Sequence, residues 1–486
     1  MTPDHAATTG RAATQALREY RDLPGPRPLP ILGNLHQTDL QSFHRTLEEG
    51  VDRFGTMYRY RMGSVPCLVI ADQPLIASLL RDRPERFRRG ARVSNLLDEL
   101  GATGLFTAEG EAWRRQRKLV TRAFTPEVVR KFHPTLAAMV ERLRGRWAEQ
   151  VAAGRQPDTA RDLKALTLDV TIALAMGHDI DTLRTDGHPL QRDIHHLFQA
   201  VGDRARKAVD HWHVIRLPAD RAIDAAAARV HASIRGFIGE ARAQLEAEPS
   251  LRERPANLMQ ALLAARDEQG QGLSEAAVVG NAVTMVFAGE DTTSTTLAWT
   301  LLLLAQHPQA AQRLAEECDA VLGHDTVVGD PAVLERMPYA EAVLHESMRL
   351  KPAAPMLVLQ GQGDEVVGNV RMPAGVRAML MLRRAANIEA NFESPSAFRP
   401  ERWLGHSDAA SEPNRRMMPF GAGPRFCPGR FLALVEAKMV LATVMHAFRL
   451  EALPGIEQVK EIFTFTMNPS AVPVRDRKST RLNSIT

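Results

Sequence analysis

Residues 420–430 read Phe-Gly-Ala-Gly-Pro-Arg-Phe-Cys-Pro-Gly-Arg, and the apolar run 431–448, with helical periodicity, follows directly. The pattern predicts a glycine-rich loop feeding a helix. Cys427 sits just before the predicted helix start, where unpaired backbone N–H groups and the positive end of the dipole favour negative charge. Its thiol is therefore expected to titrate below the ordinary range. Gly421, Gly423 and Gly429 allow a tight turn that brings N–H donors near the sulfur, Pro428 is pre-set for a first helical turn, and Arg425 places a cation two residues away. A thiolate so placed is a metal ligand or a nucleophile. Neighbouring His or Cys residues are missing, which argues against zinc. The plain alternative is a buried core thiol, the usual fate of a lone cysteine.

One protein thiolate plus a macrocycle is a known ligand set for haem iron. The stretch resembles the haem-binding signature of the cytochrome P450 superfamily, Phe-Gly-x-Gly-x-Arg-x-Cys-x-Gly, and Phe420, Gly421, Gly423, Arg425, Cys427 and Gly429 match every defined position. Six matches within ten residues outweigh the core-thiol reading. The resemblance implies haem b (iron protoporphyrin IX) with Cys427 as axial thiolate. It also implies a mainly α fold with small β-sheets (α+β), a long central helix lying over the haem, as in soluble bacterial members similar to fatty-acid hydroxylase haem domains.

The chain has 486 residues, 44% of them hydrophobic, and a formal net charge of +4 from 61 basic and 57 acidic side chains. That balance is too even to imply nucleic acid or a generally membrane-seeking surface, so no nucleic-acid partner is expected. Cys67, Cys318 and Cys427 have no paired spacing, which indicates a reducing compartment without a disulfide framework. Residues 1–23 contain no apolar stretch fit for a signal or an anchor. We therefore expect a flexible tail over 1–23, no transmembrane anchor, a cytoplasmic location and a monomer. The Pro-Gly-Pro-Arg-Pro-Leu-Pro run at 24–30 reads as a stiff extended entry. No repeat or composition shift divides the chain, so a single domain is expected over 24–474, followed by a polar, patternless, unstructured tail over 475–486.

Residues 55–62 alternate in polarity, Gly63-Ser64 makes a turn, and Val65–Ile70 completes a hairpin pattern. Helical patterns then dominate from residue 73 to about 350, with strand-like pieces returning at 356–360 and 376–382. Residues 274–307 are apolar around most of a helix roughly 50 Å long, except for Gly-Glu-Asp-Thr-Thr-Ser-Thr-Thr at 289–296. Two acids and five hydroxyls at its centre would sit where a bilayer tolerates them worst. A buried helix crossing a large globular domain is expected instead. Gly289 and the hydroxyls weaken the backbone ladder there.

The resemblance extends through four further motifs. Residues 288–293 match the family's oxygen-activation motif, implying that Asp291 relays protons and that the Thr292 hydroxyl serves dioxygen; by itself a threonine run could merely bend a helix. Trp113 and Arg117 share a helix face, and the resemblance aims both at a haem propionate, a carboxylate that suits the Arg fork. A solvated basic face is the alternative. Gly104-Leu105-Phe106-Thr107 resembles the stretch of bacterial fatty-acid hydroxylases that sets a Phe over the haem. Phe106 is thus expected to gate a substrate pocket also bordered by Leu105, Ala288, Ala354 and Met356, an apolar lining compatible with a fatty acid, terpenoid, steroid or polyketide. Glu346 and Arg349, on one helix face, are expected to form a buried pair closed by Arg402 that supports the thiolate loop. Where many members read Arg-Asp, this chain has Asn387-Ile388-Glu389.

The resemblance implies a haem-thiolate monooxygenase that inserts one oxygen atom from O2 into an apolar substrate. Two alternatives are a peroxide-driven hydroxylase or isomerase, for which an acid–alcohol pair is superfluous, and a non-catalytic haem sensor. The chain ends about 60 residues after Cys427, so electrons are expected from a separate ferredoxin or flavodoxin. Arg425, Arg430 and Lys438 flank the loop, and Arg114, Arg115 and Lys118 share the helix of Trp113, so a basic docking face for an acidic partner is expected.

Overall fold

Residues 274–307 fold as one helix, Glu275–Gln306, which begins where the Ser274 hydroxyl accepts from the Ala277 N–H at 3.2 Å. The structure is a computed structural model and describes residues 16–121, 124–185, 188–207, 210–267, 269–405 and 416–478. Both flanks of this central helix are largely apolar because most of their side chains are enclosed. Its N-terminal half, with Val283, Val286 and Phe287, belongs to one buried cluster that includes Leu168, Phe198 and Ile234. Its C-terminal half, with Leu301 and Leu304, belongs to another with Trp147, Leu344 and Met439. The polar residues 289–296 lie between the two. The helices Thr159–Met176, Pro338–Leu350 and Arg430–Ala447 pack against it. Each fully buried Leu in these clusters contributes about 1.5–3 kcal/mol, so two separate cores hold the polar centre in place.

The predicted hairpin is present: Met57–Met62 runs antiparallel to Val65–Ile70, with Met57 opposite Ile70, and Gly63 turns the chain at φ +56°. It forms one side of a five-stranded sheet in the order Met57–Met62, Val65–Ile70, Arg377–Leu380, Leu357–Gly361, Phe87–Arg89. The strand pieces expected near 356–360 and 376–382 are its third and fourth members.

The tail boundaries are corrected. Arg18–Glu19 pairs in parallel with Val370–Met372 and Leu23 is buried, so the fold takes up the chain before Pro24. At the other end, Val474–Lys478 pairs antiparallel with Phe448–Ala452, Val474 opposite Ala452 and Lys478 opposite Phe448. Main-chain ladders hold both segments, and a ladder requires no apolar alternation that a sequence pattern would register. Residues 1–15 and 479–486 lie outside the described residues. Among the described residues no helix is long and apolar enough to cross a membrane. Cys67 and Cys318 are buried and unpaired, and burial pushes the Cys67 thiol up to about 12.

Candidate active site

The Cys427 loop is closed by its own backbone: Cys427 N–H donates to the Phe420 carbonyl at 2.9 Å and Gly421 N–H to that of Met418 at 3.0 Å. Gly423 sits at φ +69°, and a Cβ there would lie 2.4 Å from the Leu80 carbonyl oxygen, so only glycine fits. The helix Arg430–Ala447 starts after Gly429, which places Pro428 before the cap rather than in the first turn. Cys427 is half-buried. Burial pushes its thiol up, against the pull of the Gly429 and Arg430 N–H groups and of Arg117. The expected lowering is thus overturned, because desolvation outweighs the dipole.

Around this loop stand more cations than anions. Trp113 is buried on the helix Gly110–Thr121, and the Arg425 guanidinium lies 4.7 Å above its ring while donating to the Ala108 carbonyl at 2.7 Å and to Glu109. Arg117, one turn on, stacks 4.6 Å over Phe426. Arg83 is buried and Arg89 partly so. Burial together with their cationic neighbours lowers Arg83 to about 10 and Arg89 to about 9, with Glu109 the one acid opposing. Arg83 Nε and Nη2, Arg117 Nη2 and Arg425 Nε are buried without a hydrogen-bond partner. Buried donors left unmade cost about 1–3 kcal/mol each, so the cluster is incomplete without an anion. Carboxylates on a group bound at Cys427 would complete it, and iron protoporphyrin IX carries two. Arg83 and Arg89 were missed in the sequence, where the arginine-rich run at 81–92 was the available signal.

In the central helix, Ala288 is exposed and Thr292 half-exposed, although Phe287, Glu290, Asp291 and Thr293 are buried. The middle of the helix therefore borders open space. Thr292 Oγ1 donates to the Ala288 carbonyl at 2.7 Å, leaving its lone pairs available to that space. Gly289 lies on the opposite side, where a Cβ would come within 2.1 Å of Thr171 Oγ1, so glycine is required for helix contact as well. Asp291 is buried and turned away from the opening. One carboxylate oxygen lies 3.3 Å from Lys164 Nζ and the other accepts from the Thr466 hydroxyl. No hydrogen bond joins Asp291 to Thr292. Glu290, beside it, is pushed up to about 8 by burial and by Asp291, and its Oε2 has no partner.

Phe106 is tied to the central helix through Leu105, whose N–H donates to Asn281 Oδ1 at 2.9 Å. Its ring carries Arg89 at 3.5 Å and meets Phe465 at 5.8 Å. Ala354 is half-buried in a segment that meets the hairpin of Glu461–Phe463 and Met467–Pro469, with Phe465 at its tip, where Met467 N–H donates to the Ala353 carbonyl at 2.9 Å. Leu105 and Met356 are core residues instead; Met356 packs with Tyr58, Tyr60 and Met379. Phe465 was not foreseen, since nothing in a lone hairpin tip shows what it will face.

Glu346 and Arg349 are fully buried and bidentate, at 2.9 and 2.8 Å. Glu346 also accepts from Arg402 Nε at 3.1 Å, Trp403 Nε1 at 2.9 Å and the Arg399 N–H at 2.9 Å. Asn387, the departure from the family pattern, fits this network: its Oδ1 accepts from Arg349 Nη1 at 2.8 Å and its amide donates to the Arg349 carbonyl at 3.0 Å. The basic docking face is narrower than expected. Arg425 and Lys438 are inward and paired, Lys438 with Glu341 at 2.8 Å, while Arg114 is paired with Glu85 at 2.7 Å and Arg115 with Asp267 at 2.8 Å. Arg430 is exposed and, with Arg81, Met417 and Phe420, lines a surface cavity of about 590 Å³ beside the loop.

The sequence profile of the cytochrome P450 family matches residues 23–473. A self-sufficient cytochrome P450 monooxygenase of Aspergillus kawachii, CYP505E5, is 27% identical over 467 residues, covering 94% of this chain and 43% of that protein. The mitochondrial 25-hydroxyvitamin D-1 alpha hydroxylase of Homo sapiens is 30% identical over 482 residues, 94% of this chain and 92% of that protein. The chain belongs to the cytochrome P450 family, whose members bind haem b through a cysteine thiolate. It spans less than half the length of the Aspergillus relative.

Proposed function

We propose that the protein is a haem-thiolate monooxygenase acting on an apolar organic substrate, with electrons supplied by a separate redox partner in a reducing, cytoplasmic setting. The observation that carries this reading is the set of unpartnered buried guanidinium donors on Arg83, Arg117 and Arg425 around the half-buried Cys427, a fit to a dicarboxylate cofactor ligated by one thiolate. Cys427 would hold the iron, with Trp113, Arg117, Arg425 and Arg83 holding the carboxylates. When bound, haem ligated by thiolate supplies the oxidising chemistry: R–H, O2, two electrons and two protons give R–OH and water.

The chain's own residues supply positions and protons. Phe106, Ala288 and Ala354 border the substrate side. Thr292 presents hydroxyl lone pairs to the open space and becomes a donor by rotating off the Ala288 carbonyl. Asp291, held between Lys164 and Thr466, is the carboxylate that can pass protons inward to Thr292. That acid–alcohol pair favours dioxygen over peroxide as the oxygen source. Glu346, Arg349 and Arg402 brace the loop and touch no reacting atom.

The reduced carbon monoxide complex of the holoprotein tests this. A strongly red-shifted band diagnostic of thiolate ligation is expected, and Cys427→His should abolish it. Its persistence in the variant overturns the assignment.

A further inference from the structure

The hairpin of Glu461–Phe463 and Met467–Pro469 is fastened along its second strand, and its tip, residues 464–466, reaches into the site. Trp299 Nε1 donates to the Met467 carbonyl at 2.7 Å, Thr295 Oγ1 to Asn468 Oδ1 at 2.6 Å, and Met467 N–H to the Ala353 carbonyl at 2.9 Å. At the tip, adjacent residues face two parts of the site. Phe465 lies 5.8 Å from Phe106 and 5.9 Å from Phe198, ring centre to ring centre, and Phe198 meets Phe287 of the central helix at 4.6 Å. The Thr466 hydroxyl accepts from Asn468 Nδ2 at 2.8 Å, so its own proton is directed to Asp291. Aromatic contacts adapt to a new apolar neighbour, whereas a hydroxyl–carboxylate bond is short and directional. Phe465 and Thr466 share a planar peptide bond, so a backbone displacement at one is passed to the other.

We propose that Phe465 and Thr466 form a latch that couples entry of an apolar molecule beside Phe106 to release of Asp291. This rests on the reading of Asp291 as the proton-relaying acid. With the pocket empty, Thr466 holds the carboxylate turned away from Thr292. An apolar chain between Phe106 and Phe465 shifts the tip, the bond opens, and Asp291, still near Lys164, gains the freedom to turn toward Thr292. Thr466 is a positioning residue.

The latch makes a claim about sign. If binding must open the Thr466–Asp291 bond, apparent affinity is reduced by the fraction of molecules with the latch open, and removing the bond lifts that penalty. A residue that merely shapes the pocket would do the opposite when altered. We would titrate dodecan-1-ol into the holoprotein and follow the haem absorption shift. Thr466→Val should bind it about tenfold more tightly, from a charge-assisted hydrogen bond, while Thr466→Ser should match the wild type. In a Phe465→Ala background, Thr466→Val should change affinity less than twofold. Unchanged or weaker binding by Thr466→Val overturns the latch, as does tightening that persists without Phe465. Failure of every variant to bind dodecan-1-ol overturns it too, since its trigger is apolar entry; the monooxygenase reading is tested separately by the carbon monoxide spectrum.

Discussion

Glu461→Gln should loosen the hairpin that carries Phe465 and Thr466, by an amount its partners set. Glu461 is buried; its Oε2 accepts from His44 at 2.8 Å, and its Oε1 from Arg383 at 2.6 Å and from Lys351. Removing one member of a buried ion pair costs about 3–5 kcal/mol when it strands the other. Here the stranding is partial. Arg383 keeps Glu48 at 2.8 Å and the Lys351 side chain is 28% exposed, so it can rehydrate. The cost should fall to about 2–3 kcal/mol, mostly from the fully buried His44. For local opening, amides of the hairpin should exchange about 30- to 150-fold faster by hydrogen-exchange mass spectrometry. With roughly 2.1 cal/mol/K of unfolding entropy per residue, the midpoint should drop about 2–3 °C. The pH dependence has a definite sign. Burial raises the Glu461 carboxyl, but His44, Arg383 and Lys351 together hold it below its ordinary 4.5. A depressed acid stabilises above its unfolded value and loses that contribution as pH falls through its folded value. The contribution of the Glu461 carboxylate to the gap between wild type and variant should fade as pH falls below about 4.5. A hairpin exchanging within twofold of the wild type at pH 7 would refute this account.

Four further outcomes are expected. Glu346→Gln leaves the unexposed Arg349 without its carboxylate and should cost about 3–5 kcal/mol, seen as a lower unfolding midpoint and a reduced yield of thiolate-ligated haem. Arg83→Gln should act in opposite directions in the two forms: the apoprotein gains about 1–3 kcal/mol because burial disfavours the charged Arg83, while the holoprotein releases haem faster to an acceptor apoprotein. Thr292→Ala should bind substrate and consume reductant but release hydrogen peroxide in place of product, measured as product formed per reductant consumed. Arg430→Glu, on the exposed rim of the cavity beside the loop, should slow electron delivery from an acidic ferredoxin several-fold at low salt. The effect should shrink as salt rises, because exposed charges are screened over about 8 Å at physiological ionic strength.

Features specified by local chemistry were legible in the order of residues alone. Glycines at 421 and 423, the thiol at 427 and the apolar helix after it state a thiolate loop. The polar interruption at 289–296 marks the candidate site on a buried helix, because an enclosed helix is otherwise largely apolar. The hairpin at 57–70 followed from its alternation. Features that depend on partners distant in the chain emerged with packing. Desolvation raised the Cys427 thiol against the dipole, and pairing with Glu341, Glu85 and Asp267 removed Lys438, Arg114 and Arg115 from the docking face. Asn387 completed its network through Arg349, 38 residues away. Thr466 reached Asp291 across 175 residues. Burial and pairing are properties of the packed chain: a side chain's charge can be read from its letter, but the energy of that charge is set by what is packed around it.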